Sequence, residues 1–533
     1  MMFRLPCNLP WKLNSHLKGN VNAECYIIYS QPINPQEVGR SGPFSMASAK
    51  KITVKLLVDK ERSRVVYAEA DKDFVDILFS FLTLPLSTIV KVLNKQSSLG
   101  CMDNLYESVE KLDIRYLQTE ACKSMLLHPR SEAAVLCEDL KINIDDKKPR
   151  VVYACKKDDC CSKQTCLFSY AQNAQCIHCK EKMDRVLTCE VNNIVKLFVK
   201  DGVKYIISSD LHVEPATVMH ILSLLQKMNI KDISVLEERY MDISEEEVLA
   251  LLKRLLVSEM PVTDLYFHHN DKTHDAPRDH VGKKEAVQVK TESNQETNTE
   301  GISIKLLINK RTNKILCAEA DDDFLNILFS FLTLPLGSLI KILNKNTGTG
   351  CVDNLYRSAE DLSLEDIESE QSRSILLSPK LGPFFGCSNN ILKLDEINPR
   401  EVTTHGCRTC YWKNINKACT AAKCDHGVGK SVMKELNPKS PQGGTEKGGG
   451  YAKGRGKFVV TDDLCVSPVS TSSIIPIVSK LDSSFDSVVE REVVAGEIQV
   501  VNLLRAAVTS KTPLSDVFST CQKPRNWSRY SLD

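Results

Sequence analysis

Cysteine is the residue whose placement in this chain points most directly to chemistry. Of 21 cysteines, Cys155, Cys160, Cys161, Cys166, Cys176, Cys179 and Cys189 crowd one segment, and Cys407, Cys410, Cys419 and Cys424 crowd another. Cys176-Ile-His-Cys179 and Cys407-Arg-Thr-Cys410 have the two-residue spacing with which one tight turn offers two thiolates to a single ion. Cys155 with Cys160, or Cys161 with Cys166, can supply the second pair in the first segment, and Cys419 with Cys424 in the other. The metal ligands expected are Cys155, Cys160, Cys176 and Cys179, then Cys407, Cys410, Cys419 and Cys424. His178 and His426 are candidate substitutes as ligands, though their first reading is as solvated loop residues. Four thiolates close a tetrahedral shell and leave no position for water, so the chemistry is structural zinc in zinc-ribbon-like loops and not catalysis. The competing reading is ordinary thiols in loops.

Other patterns carry less. Gly427-Val-Gly429-Lys430-Ser431 ends like a phosphate-binding loop, but Cys424 stands where that motif needs glycine and no apolar strand precedes it. His268, His269, His274 and His280 fall in a polar stretch, as solvated residues do. The basic, glycine-rich residues 447–457 include one tyrosine and fit RNA less well than they fit solvated chain. No nucleophile, base and orienting group come together in a readable pattern, so no catalytic residue is assigned.

The elements that hold these cysteines occur twice. Residues 52–112 reappear, without a gap, at residues 302–362. Alternation at Ile52, Val54, Leu56 and Val58, a polar turn, and residues 64–69 predict a β-hairpin. Asp71 is placed to cap a helix whose apolar face is Phe74, Ile77, Leu78, Phe81 and Leu82. Pro85 ends that helix or begins the next, which carries Leu86, Ile89, Val90 and Leu93. Both copies continue into Gly-Cys-x-Asp-Asn-Leu-Tyr, at residues 100–106 and 350–356. This segment is expected to be a structural turn in which Asp103 caps the following helix. A mainly helical unit follows each cysteine segment: KYIISSDLHVEP at 204–215 matches KFVVTDDLCVSP at 457–468. Ser258, Pro261 and Asp264 then match Ser510, Pro513 and Asp516.

The expected architecture is α+β, as two tandem repeats. A poorly ordered leader (1–45) precedes a first half (46–267), with its hairpin and helices at 52–112, cysteine segment at 155–189 and helical unit at 194–267. A polar linker (268–301), too poor in apolar residues to fold alone, leads to the second half (302–519). There the corresponding parts lie at 302–362, 387–424 and 457–519, with a glycine-rich, mobile loop at 442–456 and a tail at 520–533. Residues 33–38 (INPQEV) echo residues 397–402 (INPREV), which suits a leader derived from the same unit.

With 69 basic and 68 acidic side chains, the chain has no overall field to draw it to nucleic acid or membrane. Its longest apolar runs, 77–90 and 327–340, are too short to span a bilayer and each contains a proline. No secretion signal opens it, so the cytoplasm or nucleus is expected, and clustered cysteines in a reducing compartment favour metal.

KLLVDK at 55–60, AEADKDF at 68–74, LFSFLTLPL at 78–86, GCMDNLY at 100–106 and YIISSDL at 205–211 resemble the plant family known as domain of unknown function 674, in two tandem copies. The resemblance brings no activity with it. The function expected is that of a non-enzymatic protein-interaction or scaffold protein with structural zinc sites. The alternatives are nucleic-acid binding through the zinc-ribbon-like loops, for which Lys156, Lys157, Lys163, Lys180, Lys182 and Arg185 speak, and an enzyme of unrecognised type.

Overall fold

The computed structural model describes residues 25–28, 50–145, 148–157, 166–191, 196–267, 301–388, 391–406, 429–442, 445–454, 456–479 and 488–519. Residues 268–300, the tail and the rest of the leader lie outside them. The protein is α+β, with helices and three sheets among the described residues.

The first hairpin pairs β2 (Ile52–Asp59) with β3 (Arg64–Ala70), with a bulge at Leu57/Val58. β7 (Tyr205–Ser208) and β8 (Val213–Pro215) extend the sheet beyond β3, and β9 (Leu236–Ile243) pairs along all of β2. The order is β8-β7-β3-β2-β9. The second sheet has the corresponding order, β15-β14-β11-β10-β16, from β10 (Ile302–Asn309), β11 (Ile315–Ala320), β14 (Phe458–Thr461), β15 (Val466–Pro468) and β16 (Val488–Ala495). Each unit expected to be mainly helical therefore contributes three strands as well as helices. β9, LEERYMDI, lies at the edge of its sheet and, among the described residues, pairs only with β2. An edge strand with exposed charges hides its alternation.

The first half's helices are α1 (Lys72–Thr83), α2 (Leu86–Val92), α3 (Met102–Lys111), α4 (Glu120–Leu127), α5 (Val218–Lys227), α6 (Glu245–Val257) and α7 (Pro261–Phe267). The second half has α8 (Asp322–Thr333), α9 (Leu336–Ile342), α10 (Val352–Asp361), α11 (Glu370–Leu377), α12 (Thr471–Val478), α13 (Glu497–Thr509) and α14 (Pro513–Phe518). None is long and apolar enough to cross a membrane. Pro85 is the N-cap of α2, as its fixed φ allows. Asp71 makes no side-chain cap bond and instead pairs with Lys204 at 2.6 Å, whereas Asp321 does cap α8 through the Phe324 amide. Asp103 likewise caps nothing. It accepts from the amide and hydroxyl of Ser97, pinning the turn before α3.

The halves interlock through reciprocal contacts. Leu86 donates its amide to Leu334 at 2.9 Å, and Leu336 donates to Leu84 at 2.9 Å, on either side of a Pro85–Pro335 bridge. The Gly-Cys-x-Asp-Asn-Leu-Tyr segment of each half docks on the other. Cys101 donates to Ala507 at 2.8 Å and Cys351 to Leu255 at 2.9 Å. Asn104 Nδ2 reaches the Asp463 carbonyl and Asn354 Nδ2 the Asp210 carbonyl, both at 2.9 Å. Gly100 and Gly350 have positive φ, and a Cβ there would sit 2.3 Å from Ala507 O or 2.1 Å from Leu255 O. Only glycine lets the two backbones approach so closely. One continuous apolar core results, including Phe79, Phe81, Leu105, Leu255, Phe329, Phe331, Leu355 and Leu504.

The third sheet is a closed six-stranded barrel of mixed direction. It joins β1 of the leader (Cys25–Ile28) to β4 (Val151–Ala154), just before the first cysteine segment, and to β5 (Cys166–Ser169) and β6 (Arg185–Val191) from that segment. β12 (Glu401–Gly406) comes from the second and β13 (Gly429–Glu435) follows it. β1 runs parallel to β12, and β13 parallel to β5. The glycine-rich stretch is anchored and not free along its described length: Tyr451 is fully buried, its carbonyl accepts from the Gln118 amide at 2.8 Å, and its hydroxyl donates to Phe385 O at 2.8 Å.

Candidate metal centre

The first cysteine pair sits on a tight hairpin between β5 and β6. Cys176 donates its amide to Glu181 O at 2.8 Å, and Met183 donates to Ala174 O at 2.8 Å. The turn closes through the Lys180 amide, 2.9 Å from Cys176 O, with Lys180 itself at φ 60°. This bend brings Cys176 and Cys179 onto one side. Cys155 leaves the end of β4 toward them, because β4 pairs with both β5 and β6.

The three sulfurs lie within 4.8 Å of one another, and Cys155 Sγ is 3.5 Å from Cys179 Sγ. A tetrahedral zinc–thiolate shell with bonds of about 2.3 Å separates its sulfurs by roughly 3.8 Å. The spacing fits that shell. Cys155 and Cys176 are buried, Cys179 half-buried, and Ala121, Leu167, Ala174, Met183 and Leu436 pack around them. Burial pushes the Cys155 thiol up to about 12, with the Lys157 amide opposing and the neighbouring cysteines adding to the rise. A divalent cation reverses that preference by holding thiolates directly.

Of the expected ligands, the structure thus brings Cys155, Cys176 and Cys179 together. Cys160 and Cys161, along with Cys407, Cys410, Cys419, Cys424 and His426, lie outside the described residues, as do the side chains of Cys166 and Cys189. His178 is not in the sulfur group; its Nε2 is buried with no hydrogen-bond partner among the described residues.

The lysines around the centre are largely engaged. Lys157 pairs with Glu181 at 2.6 Å, Lys156 with Asp184 at 2.5 Å, and Lys182 with Glu120 of α4 at 2.7 Å. Lys180 Nζ donates to Gln442 O at 3.2 Å.

A second feature had no signal in the sequence. A cavity of about 370 Å³ opens beside the barrel, lined by Lys91, Arg130, Lys148, Tyr170, Phe385 and Glu435 among others. These residues come from both halves and are separated by up to hundreds of positions, so no motif could announce them.

Residues 48–498 match the family described as "Protein of unknown function (DUF674)", and the chain belongs to that family. No curated protein and no solved structure matches it.

Proposed function

We propose that this protein is a non-enzymatic protein-interaction scaffold whose first cysteine segment is held by structural zinc. The observation that carries the reading is the convergence of Cys155, Cys176 and Cys179 inside an apolar shell. Such a shell fixes loops; it gives no polar approach for a substrate. Cys160 supplies the fourth sulfur in this reading. The hairpin it would fix is tied to α4 by Lys182–Glu120 and packs on Leu436 of the second half, so the ion would brace a junction between halves.

The interaction role draws support from the outer layer of each sheet. α5 covers Val66, Tyr67 and Ile206 with one face and exposes Val218, Met219 and Leu222 on another. In the second half Ile475 of α12, Val494 of β16 and Ile498 of α13 are exposed. Exposed apolar side chains on both halves suit a bivalent binder. Nucleic-acid binding is the weaker reading, since three of the lysines that favour it in sequence, Lys156, Lys157 and Lys182, are partnered by carboxylates around the sulfur group.

Zinc content of the purified full chain tests the reading. At least one ion per chain is expected, and one fewer in the Cys176→Ser/Cys179→Ser variant. A chain that neither carries zinc nor takes up added zinc overturns the metal centre. Capture of proteins by the wild type, lost when Val218, Met219 and Leu222 become aspartate, tests the interaction role. Unchanged capture would count against that surface.

A further inference from the structure

The cavity beside the barrel goes beyond a scaffold's needs. Its volume, about 370 Å³, lies in the range of small-molecule sites. Its walls carry two kinds of group. Tyr153 and Phe385 offer flat apolar surface, supplemented by Pro149, Pro383 and Pro438. Lys91, Arg130 and Lys148 bring positive charge against the single carboxylate of Glu435.

Arg130 is the residue that gives the cavity direction. Its guanidinium carbon lies 3.4 Å from the Tyr170 ring centroid, so the aromatic ring fixes its plane. Its Nη1 is buried and has no hydrogen-bond partner among the described residues. A buried, unpaired donor on a charged group costs free energy that a ligand acceptor recovers. A guanidinium held in one plane presents parallel N–H donors, the geometry that a carboxylate meets with two oxygens.

We infer that this cavity binds a small aromatic carboxylate, its acid group on Arg130 and its ring between the tyrosine and phenylalanine side chains. Lys148, exposed at the mouth, adds attraction without being part of the packed wall. Glu435 accepts from the Arg400 amide at 3.0 Å and is nearly fully buried, so it stands behind the site as part of its frame. The selectivity that follows is for anion and ring together, since neither charge nor apolar wall alone engages both features.

Titration calorimetry on the full chain decides this with three probes: 2-naphthoate, the neutral 2-naphthylmethanol, and inorganic phosphate. Naphthoate is expected to bind once per chain, at least about tenfold more tightly than either other probe. Arg130→Gln should bring naphthoate down to the level of the alcohol while leaving the alcohol unchanged. Lys148→Gln, at an exposed position, should weaken naphthoate by roughly threefold, and it carries the test if Arg130→Gln melts without a cooperative transition. No naphthoate binding at millimolar concentration overturns the proposal. So does equal binding of acid and alcohol, tighter binding of phosphate, or equal affinity in wild type and variants. None of these results depends on zinc content, so the two readings fail separately.

Discussion

Asp76 and Asn326 do the same work at matching places in the two halves. Asp76 Oδ1 accepts the amides of Phe198 and Val199 at 2.9 and 3.0 Å, and Asn326 Oδ1 accepts those of Tyr451 and Ala452 at 2.7 and 2.9 Å. In each case one side-chain oxygen on a buried helix satisfies two consecutive backbone donors of a segment threaded past it. The charge on Asp76 is not what the contact needs, and burial drives its carboxyl upward despite the pairing with Lys72. Asp76→Asn should therefore stay within about 1 kcal/mol of wild type. Asp76→Ala strands both amides and should cost roughly 2–4 kcal/mol in urea unfolding. Equal loss in the two variants would show that the charge matters after all.

Gly350 should tolerate no side chain. Both its positive φ and the nearby Leu255 carbonyl oppose one, and alanine there is expected to cost well over about 1 kcal/mol. Gly202 is the control, because its φ is also positive yet nothing lies within 4 Å of a built Cβ. Gly202→Ala should lose only the backbone term, about 1 kcal/mol. Melting temperatures of the two variants, side by side, separate strain from collision.

The interlock has a consequence for fragments. The backbone carbonyls that Asn104 and Asn354 reach belong to matching positions, Asp463 and Asp210. Ser108 and Ser358 likewise accept the amides of Val466 and Val213, each at 2.9 Å. A first half on its own can thus offer a second copy of itself the same partners. Residues 46–267 expressed alone should sediment as a dimer with a concentration-dependent melting temperature. A folded monomer at micromolar concentration would contradict this.

Glu435 gives the stability a dependence on pH. Burial raises its folded pKa from 4.5 to about 7, with Arg130 and the Arg400 amide partly opposing. A carboxyl raised on folding favours the native state most when protonated. Its contribution is complete below about pH 4.5 and is lost as pH rises through about 7. Glu435→Gln removes the titration and can keep the Arg400 contact. The variant should be more stable than wild type at pH 8, by up to about 3 kcal/mol, with the gap closing toward pH 5. Chemical denaturation at the two pH values reads the difference.

Local order was legible where periodicity carries it. The hairpin at Ile52 and Val54, the helix face of Phe74, Ile77 and Phe81, and the two-residue spacing of Cys176 and Cys179 each follow from rules acting over a few residues. β9 and β16 were not, because edge strands rich in glutamate look like solvated chain. Nor was the barrel, whose neighbours Cys25 and Val402 pair across most of the sequence. The motif at Gly100 reads as a turn, but the surface it serves is Ala507, and a turn pattern says nothing of a partner some 400 residues away. Arg130 and Tyr170 are adjacent only because α4 and the barrel meet.

Two interlocked units made as separate polypeptides would come apart on dilution. Carried on one chain, they assemble at any expression level, so the contacts at Pro85 and Pro335 need not be strong enough to find each other from solution. They need only to be right. The freedom gained has a counterpart in heredity: a change at Gly100 is answerable only near Ala507, and one at Gly350 only near Leu255. Each half is then the selective environment of the other, and substitutions at these junctions should be inherited in compensated pairs.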